Sequence, residues 1–195
     1  DRVIDRGHCD FVSEIAAPLP LQIICDLMGI PESQTRFVFE KTTVILGLGD
    51  PEYVPDASGI IASAHGAGKA LSDLMLDLAK HKQGRGGDDL TSALLDADLD
   101  GETLTHQELA SFFVLLVVAG NETTRNTISH GMQAPCEHPD ERRRWAEDFE
   151  GVAPTAVEEL VRWPSPVMHF RRTVTRDCVL SGHGLRAGEK VVMWY

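Results

Sequence analysis

The stretch Leu109-Ala-Ser-Phe-Phe-Val-Leu-Leu-Val-Val118, followed by Ala119-Gly120-Asn121-Glu122-Thr123-Thr124, decides how this chain is read. A helix-forming apolar run meets a glycine, an acid and a threonine where the helix should still be buried. Glycine costs about 1 kcal/mol against alanine in a helix interior. A buried carboxylate is costly unless paired or protonated. Threonine can bond back to the carbonyl four residues earlier and bend the helix. Three such departures in one turn point to a functional site. Gly120 opens one face so that a flat or bulky group can approach, and a Thr123 hydroxyl diverted from back-bonding can widen the helix locally. A donor, an acid and a gap then lie together, a set suited to delivering protons to a bound small molecule. The other reading is a kinked core helix whose Glu122 reaches solvent.

Working outward, Thr105 followed by Glu108 is a capping box that opens the long helix, expected over Thr105–Ala134. Upstream, Cys9–Ala16 reads as a short strand. Leu19–Met28, stopped by Gly29 and Pro31, and Pro31–Leu46 read as helices, Gly47–Pro55 as a loop, Ala57–Lys82 as a long helix, Asp88-Asp89 as the cap of a short helix through Ala97, and Asp98–Thr103 as a polar turn. Downstream, Pro139–Trp145 and Thr155–Trp163 read as helices. Phe170–Val174, Cys178–Leu180 and Lys190–Tyr195 read as strands joined by glycine turns. The fold class is mainly α with small β-sheet elements.

Composition narrows the functions. The chain has 195 residues, 43% hydrophobic and 25% charged, with a net charge of −12, as for one globular domain. An acidic balance argues against a nucleic-acid surface; Arg142-Arg143-Arg144 is the one basic run, and a solvated helix face accounts for it. Cys9, Cys25, Cys136 and Cys178 form no CxxC pair, so neither a disulfide framework nor a zinc site is expected and a reducing cytoplasm fits. Phe112–Ala119 is far shorter than the roughly 20 apolar residues of a membrane span. Asn121-Glu-Thr123 matches a glycosylation acceptor by chance. Cys136-Glu-His138 is the nearest approach to a metal cluster and reads as coincidence at a helix end.

A second constellation is Glu159-Leu-Val-Arg162, whose two charges share a helix face at i,i+3. It lies in Ala156-Val-Glu-Glu-Leu-Val-Arg-Trp-Pro-Ser-Pro166, before Arg171-Arg172-Thr173. Together with Ala-Gly-x-Glu-Thr-Thr some 35 residues earlier, and Arg-Thr-x-Thr-x-Asp entering a strand, the chain resembles a bacterial cytochrome P-450. It is most similar to the actinobacterial subgroup that hydroxylates sterols and branched lipids. Segments 17–24, 118–126 and 153–163 carry the likeness, which covers essentially the whole chain.

The resemblance implies a haem-thiolate monooxygenase holding haem b (iron protoporphyrin IX). Electrons would come from NAD(P)H through ferredoxin reductase and ferredoxin, and the substrate would be a small hydrophobic sterol or methyl-branched lipid. Thr123 would hydrogen-bond dioxygen and help protonate it, with Glu122 in the proton relay. Ala119 and Gly120 would face the haem. Leu115, Val118, Val167 and Met168 would line the substrate pocket. Arg172, with Arg171 as the alternative, would bind a haem propionate, and His169 would lie near that edge. Glu159 and Arg162 would form a structural ion pair behind the haem, and Gly47–Asp56 would lie over the substrate entrance. The family's Phe-x-x-Gly-x-x-x-Cys-x-Gly loop is absent from this sequence. The expectation is therefore a single partial domain over 1–195, truncated at both ends and inactive alone. The alternatives are a non-catalytic helical ligand-binding domain and a degenerate truncated relative.

Overall fold

The computed structural model describes residues 3–47 and 59–195. By contact the chain forms two compact units, Asp1–Arg125 and Asn126–Tyr195.

In the first unit, α1 (Pro18–Met28), α2 (Glu32–Leu46), α3 (Ile60–Lys82), α4 (Leu90–Asp96) and the start of α5 (His106–Glu137) enclose one core. The apolar spacing dictates the packing. Leu21, Ile24, Cys25 and Met28 of α1 are buried, as are Leu71, Met75 and Ala79 of α3 and Leu109, Phe113 and Val117 of α5. Gly29 ends α1 in the left-handed region at φ 66°. Its N–H donates to the Asp26 carbonyl (3.0 Å) and that of Ile30 to Cys25 (2.8 Å), the paired closure of a Schellman cap.

That cap docks onto the start of α4. Asp89 caps α4 by accepting from the Ser92 N–H (3.0 Å) and receives the Lys82 ammonium at 2.6 Å. The buried Thr91 hydroxyl donates to the Met28 carbonyl at 2.7 Å. A Cβ on Gly29 would lie 2.6 Å from Asp89 Cγ, so glycine is required there for space as well as for φ. Burial alone would push the Asp89 carboxyl up, but Lys82 and the Ser92 donors outweigh it and hold the group below the usual carboxylate range.

Several sequence-based expectations are corrected. Val12–Ala16 is a π-helical turn rather than a strand; the Ala17 N–H donates to the Val12 carbonyl at 2.8 Å. Phe11, Val12 and Ile15 fit either period. The choice is made by a cap, in which Asp10 accepts from the Ser13 N–H (2.8 Å) and Glu14 from the Asp10 N–H (3.0 Å). Asp98–Thr103 is a minimal hairpin of β1 (Asp98–Leu99) and β2 (Glu102–Thr103), with Asp100 and Gly101 at positive φ. The loop expected over Gly47–Pro55, and the entrance role of Gly47–Asp56, fall on 48–58 apart from Gly47 and so lie outside the described residues.

In the second unit, the end of α5 is followed by α6 (Pro139–Glu147) and α7 (Phe149–Arg162). Helix α5 runs through Pro135 to Glu137, three residues past expectation. Helix α7 begins six residues before the expected Thr155, because Asp148 caps it by accepting from the Gly151 N–H (3.1 Å) and Pro154 is absorbed inside. Strands β3 (His169–Thr173) and β6 (Lys190–Trp194) pair antiparallel, Arg171 opposite Val192. Strands β4 (Cys178–Leu180) and β5 (His183–Leu185) form a hairpin whose turn, Ser181-Gly182, has positive φ at both residues, the type I′ signature. Neither α6 nor α7 buries a residue, and Phe149, Val157, Val161 and Trp163 are exposed.

Candidate functional site

Helix α5 starts on the expected capping box: Thr105 donates its N–H to Glu108 Oε2 at 2.9 Å, and the Glu108 N–H donates to the Thr105 hydroxyl at 3.2 Å. From there the helix has two faces. Leu109, Phe113, Val117 and Asn121 recur every four residues and are buried. Phe112, Leu115 and Ala119, spaced by three and four, form an exposed apolar strip on another face, with Leu115 64% exposed. Val118 is half-buried and packs against the core, so of the two residues expected to line a pocket from α5 only Leu115 is open.

At the end of this strip lie Glu122 and Thr123, both half-buried. The Thr123 hydroxyl donates to the Ala119 carbonyl at 2.8 Å. The expectation of a hydroxyl diverted from back-bonding, with a widened helix, is thus corrected: α5 is continuous α-helix here. A hydroxyl one turn from an accessible carbonyl finds its nearest acceptor on its own helix.

Glu122 is partnered along its own helix and is only partly exposed. Its Oε1 accepts from Arg125 Nη2 at 2.5 Å, a pair at i,i+3. Sequence reasoning missed Arg125, although the spacing that flagged Glu159 and Arg162 is present here too. The open face expected at Gly120 is turned inward, since a Cβ there would lie 3.1 Å from Ile24 Cδ1. The glycine lets α1 approach α5, and Ala119 is the residue on the exposed side. Asn121 is only 3% exposed, and its Oδ1 is buried without a hydrogen-bond partner. That burial closes the apparent glycosylation acceptor.

The remaining candidates belong to the second unit. Glu159 and Arg162 form the expected pair in bidentate geometry: Nε to Oε2 and Nη2 to Oε1, each 2.6 Å. Arg162 holds the Glu159 carboxyl below its usual range. On β3, His169, Arg171 and Arg172 are exposed. The His169 ring lies 4.9 Å from Trp194, and the Arg172 guanidinium 5.4 Å from the Phe170 ring. Among the described residues neither Arg171 nor Arg172 has an ion-pair partner. Val167 is half-buried, and Met168, which precedes β3, is exposed.

Arg143 and Arg144 are paired with Asp140 (3.2 Å) and Glu141 (3.3 Å), so the basic run is largely neutralised within α6. Among the described residues no group of three metal-ligating side chains gathers, and no helix is long and apolar enough to cross a membrane. Burial pushes the Cys25 thiol up to about 11. Cys9 is half-buried, and Cys136 and Cys178 are exposed.

No family model matches the chain. A methyl-branched lipid omega-hydroxylase of Mycobacterium tuberculosis is 52% identical over 188 residues, covering 96% of this chain and 43% of that protein. A steroid C26-monooxygenase of the same organism is 42% identical over 193 residues, covering 97% of this chain and 42% of that protein. Among solved structures, a Mycobacterium marinum cytochrome P450 in complex with pseudoionone superposes with a TM-score of 0.87 at 43% identity, over 96% of this chain and 45% of that one. The chain thus spans less than half the length of these relatives.

Proposed function

Because the chain belongs to the cytochrome P450 family, we propose that it is the middle portion of a haem-thiolate monooxygenase that hydroxylates a methyl-branched lipid or a steroid. The carrying observation is the α5 turn on which Glu122 and Thr123 stand at the end of the exposed strip Phe112–Leu115–Ala119. The two substrate classes are those named for its relatives.

The chain's residues fit part of a haem site. An apolar strip without buried partners suits the face of a porphyrin and a hydrocarbon beside it. Exposed guanidiniums on β3 with no carboxylate of their own suit a propionate. No cysteine here stands in the family's Phe-x-x-Gly-x-x-x-Cys-x-Gly loop, and burial holds the Cys25 thiol protonated. On this reading the axial thiolate would not come from these residues, and the chain alone would be inactive. The group, when bound, supplies the oxygen activation and electron transfer.

The chain's own side chains would do the rest. Leu115 and Val118 in the first unit, and Val167 and Met168 in the second, would contact the substrate. Ala119 would present a small surface to the haem, with Gly120 letting the helices pack behind it. Arg172, or Arg171, would hold a propionate, with His169 near that edge, and Glu159–Arg162 would brace the helix behind it. Thr123 would hold a proton at Oγ1 and give it toward the strip. To do so it gives up its bond to the Ala119 carbonyl, a net cost of about 1 kcal/mol, and Glu122 would replace the proton. Substrate and haem covering the apolar strip would keep water out and limit proton leakage.

Electrons would arrive from NAD(P)H through ferredoxin reductase and ferredoxin, in the cytoplasm. The net charge of −12 speaks against a nucleic-acid partner. The test is Thr123→Ala in the complete enzyme. Hydroxylated product per NAD(P)H consumed falls, and hydrogen peroxide rises by the same amount. Unchanged coupling overturns the reading.

A further inference from the structure

We infer that Arg125 is a positioning residue for proton delivery: it holds the Glu122 carboxylate in place on α5 and so governs its passage to Thr123. The inference rests on the functional reading above and adds to it a residue that acts through Glu122.

Arg125 Nη2 lies 2.5 Å from Glu122 Oε1, and the two side chains are 26% and 29% exposed. Less than a third of the Glu122 side chain meets water, and Arg125 is the partner the structure shows for its carboxylate. The Thr123 hydroxyl donates to the Ala119 carbonyl at 2.8 Å, and Asn121 is buried. The direction of the pull also matters. Arg125 lies three residues toward the C-terminus, about 4.5 Å along the axis at the helical rise. Ala119 and the apolar strip lie three residues the other way. The guanidinium therefore draws the carboxylate away from the strip. Glu122 can take up a proton from water and pass it to Thr123 only when it leaves Arg125, and the carboxylate, its proton given up, returns to a fixed place afterwards. Without Arg125 the half-buried acid has no such fixed place on α5.

The test compares variants of the complete, haem-loaded enzyme. Arg125→Met is expected to lower product per NAD(P)H severalfold and raise peroxide, with the KM for substrate unchanged. Arg125→Lys keeps a cation and recovers most of the coupling. Glu122→Gln lowers coupling similarly, and adding Arg125→Met to it lowers it no further. A readout independent of turnover accompanies these. In nitrogen-15 spectra, the Arg125 side-chain signal shifts in Glu122→Gln and stays put in Glu159→Gln. If Arg125→Met does not fold, Arg125→Gln and the spectral comparison decide. Thr123→Ala, measured alongside, separates the two claims. If it uncouples while the Arg125 variants couple normally, or if the Arg125 signal ignores Glu122→Gln, the positioning role is wrong and the functional reading stands. If Thr123→Ala leaves coupling intact, the functional reading falls and the positioning role falls with it.

Discussion

Two acid–arginine pairs with the same i,i+3 spacing occupy different surroundings in this molecule. Glu159 and Arg162 on α7 are 54% and 66% exposed and make two parallel hydrogen bonds of 2.6 Å. Glu122 and Arg125 on α5 are 29% and 26% exposed and make one contact of 2.5 Å. The exposed pair has better geometry but weaker consequences, because water screens it and would solvate either partner alone. In the sheltered pair, loss of one partner leaves the other with little water to turn to. Geometry recognises a pair, and burial decides what it does.

The largest expected effect calibrates this contrast on a third pair. Asp89 is tied to Lys82 at 2.6 Å and also caps α4, with side-chain exposures of only 12% and 22% for the acid and the lysine. Asp89→Ala is expected to destabilise this chain by about 1–2 kcal/mol, the scale of a lost N-cap, read by urea unfolding at neutral pH. The folded carboxyl is held below its ordinary value. The unfolded state therefore binds more protons as pH falls through the usual range near about 4. Asp89 contributes fully above that range and loses its contribution as pH drops through the lower folded value. The gap between wild type and Asp89→Ala should close in acid. A gap that stays constant with pH would mean the carboxylate's charge contributes nothing.

Next in size is the direct contrast. Glu122→Gln is expected to cost about 1 kcal/mol or somewhat less in unfolding, the upper end for such pairs, with little dependence on salt. Glu159→Gln should leave the unfolding midpoint of this chain unchanged, and any residual effect should vanish in high salt. Equal effects at the two sites would break the comparison.

The contrast also explains what could be read from residues alone. Caps were legible where the signature is local: Thr105 with Glu108, Asp89 before α4, and Gly29 after α1 all sit where the sequence put them. The same logic applied at Asp10 would have turned the supposed strand into the helical turn that forms. Asp148 would likewise have moved the start of α7 forward. Arg125 is legible by the same i,i+3 spacing as Arg162, but spacing alone does not show that it partners Glu122. The degree of shelter of each pair was not legible, since burial depends on helices distant in sequence. The orientation of Gly120 was illegible for the same reason: only the position of Ile24, nearly a hundred residues earlier, shows which way the missing side chain faces.

That orientation sets the smallest predicted effect. In Gly120→Ala the new methyl meets the end of the Ile24 side chain at 3.1 Å, a flexible neighbour that can give by a few tenths of an ångström. Against this small overpacking stands the gain in helix propensity, about 1 kcal/mol in favour of alanine. The two nearly cancel, so thermal unfolding should change by less than about 1 kcal/mol in either direction. The exposed strip should keep its shape, because the methyl points toward α1. A matching change on the strip itself, Ala119→Leu, adds bulk on the exposed side and leaves the core alone. The pair therefore separates packing from access. In the complete enzyme Ala119→Leu should weaken substrate or haem binding while Gly120→Ala does not. The reverse result would mean that α1 and α5 part and that the face behind Gly120 is the open one.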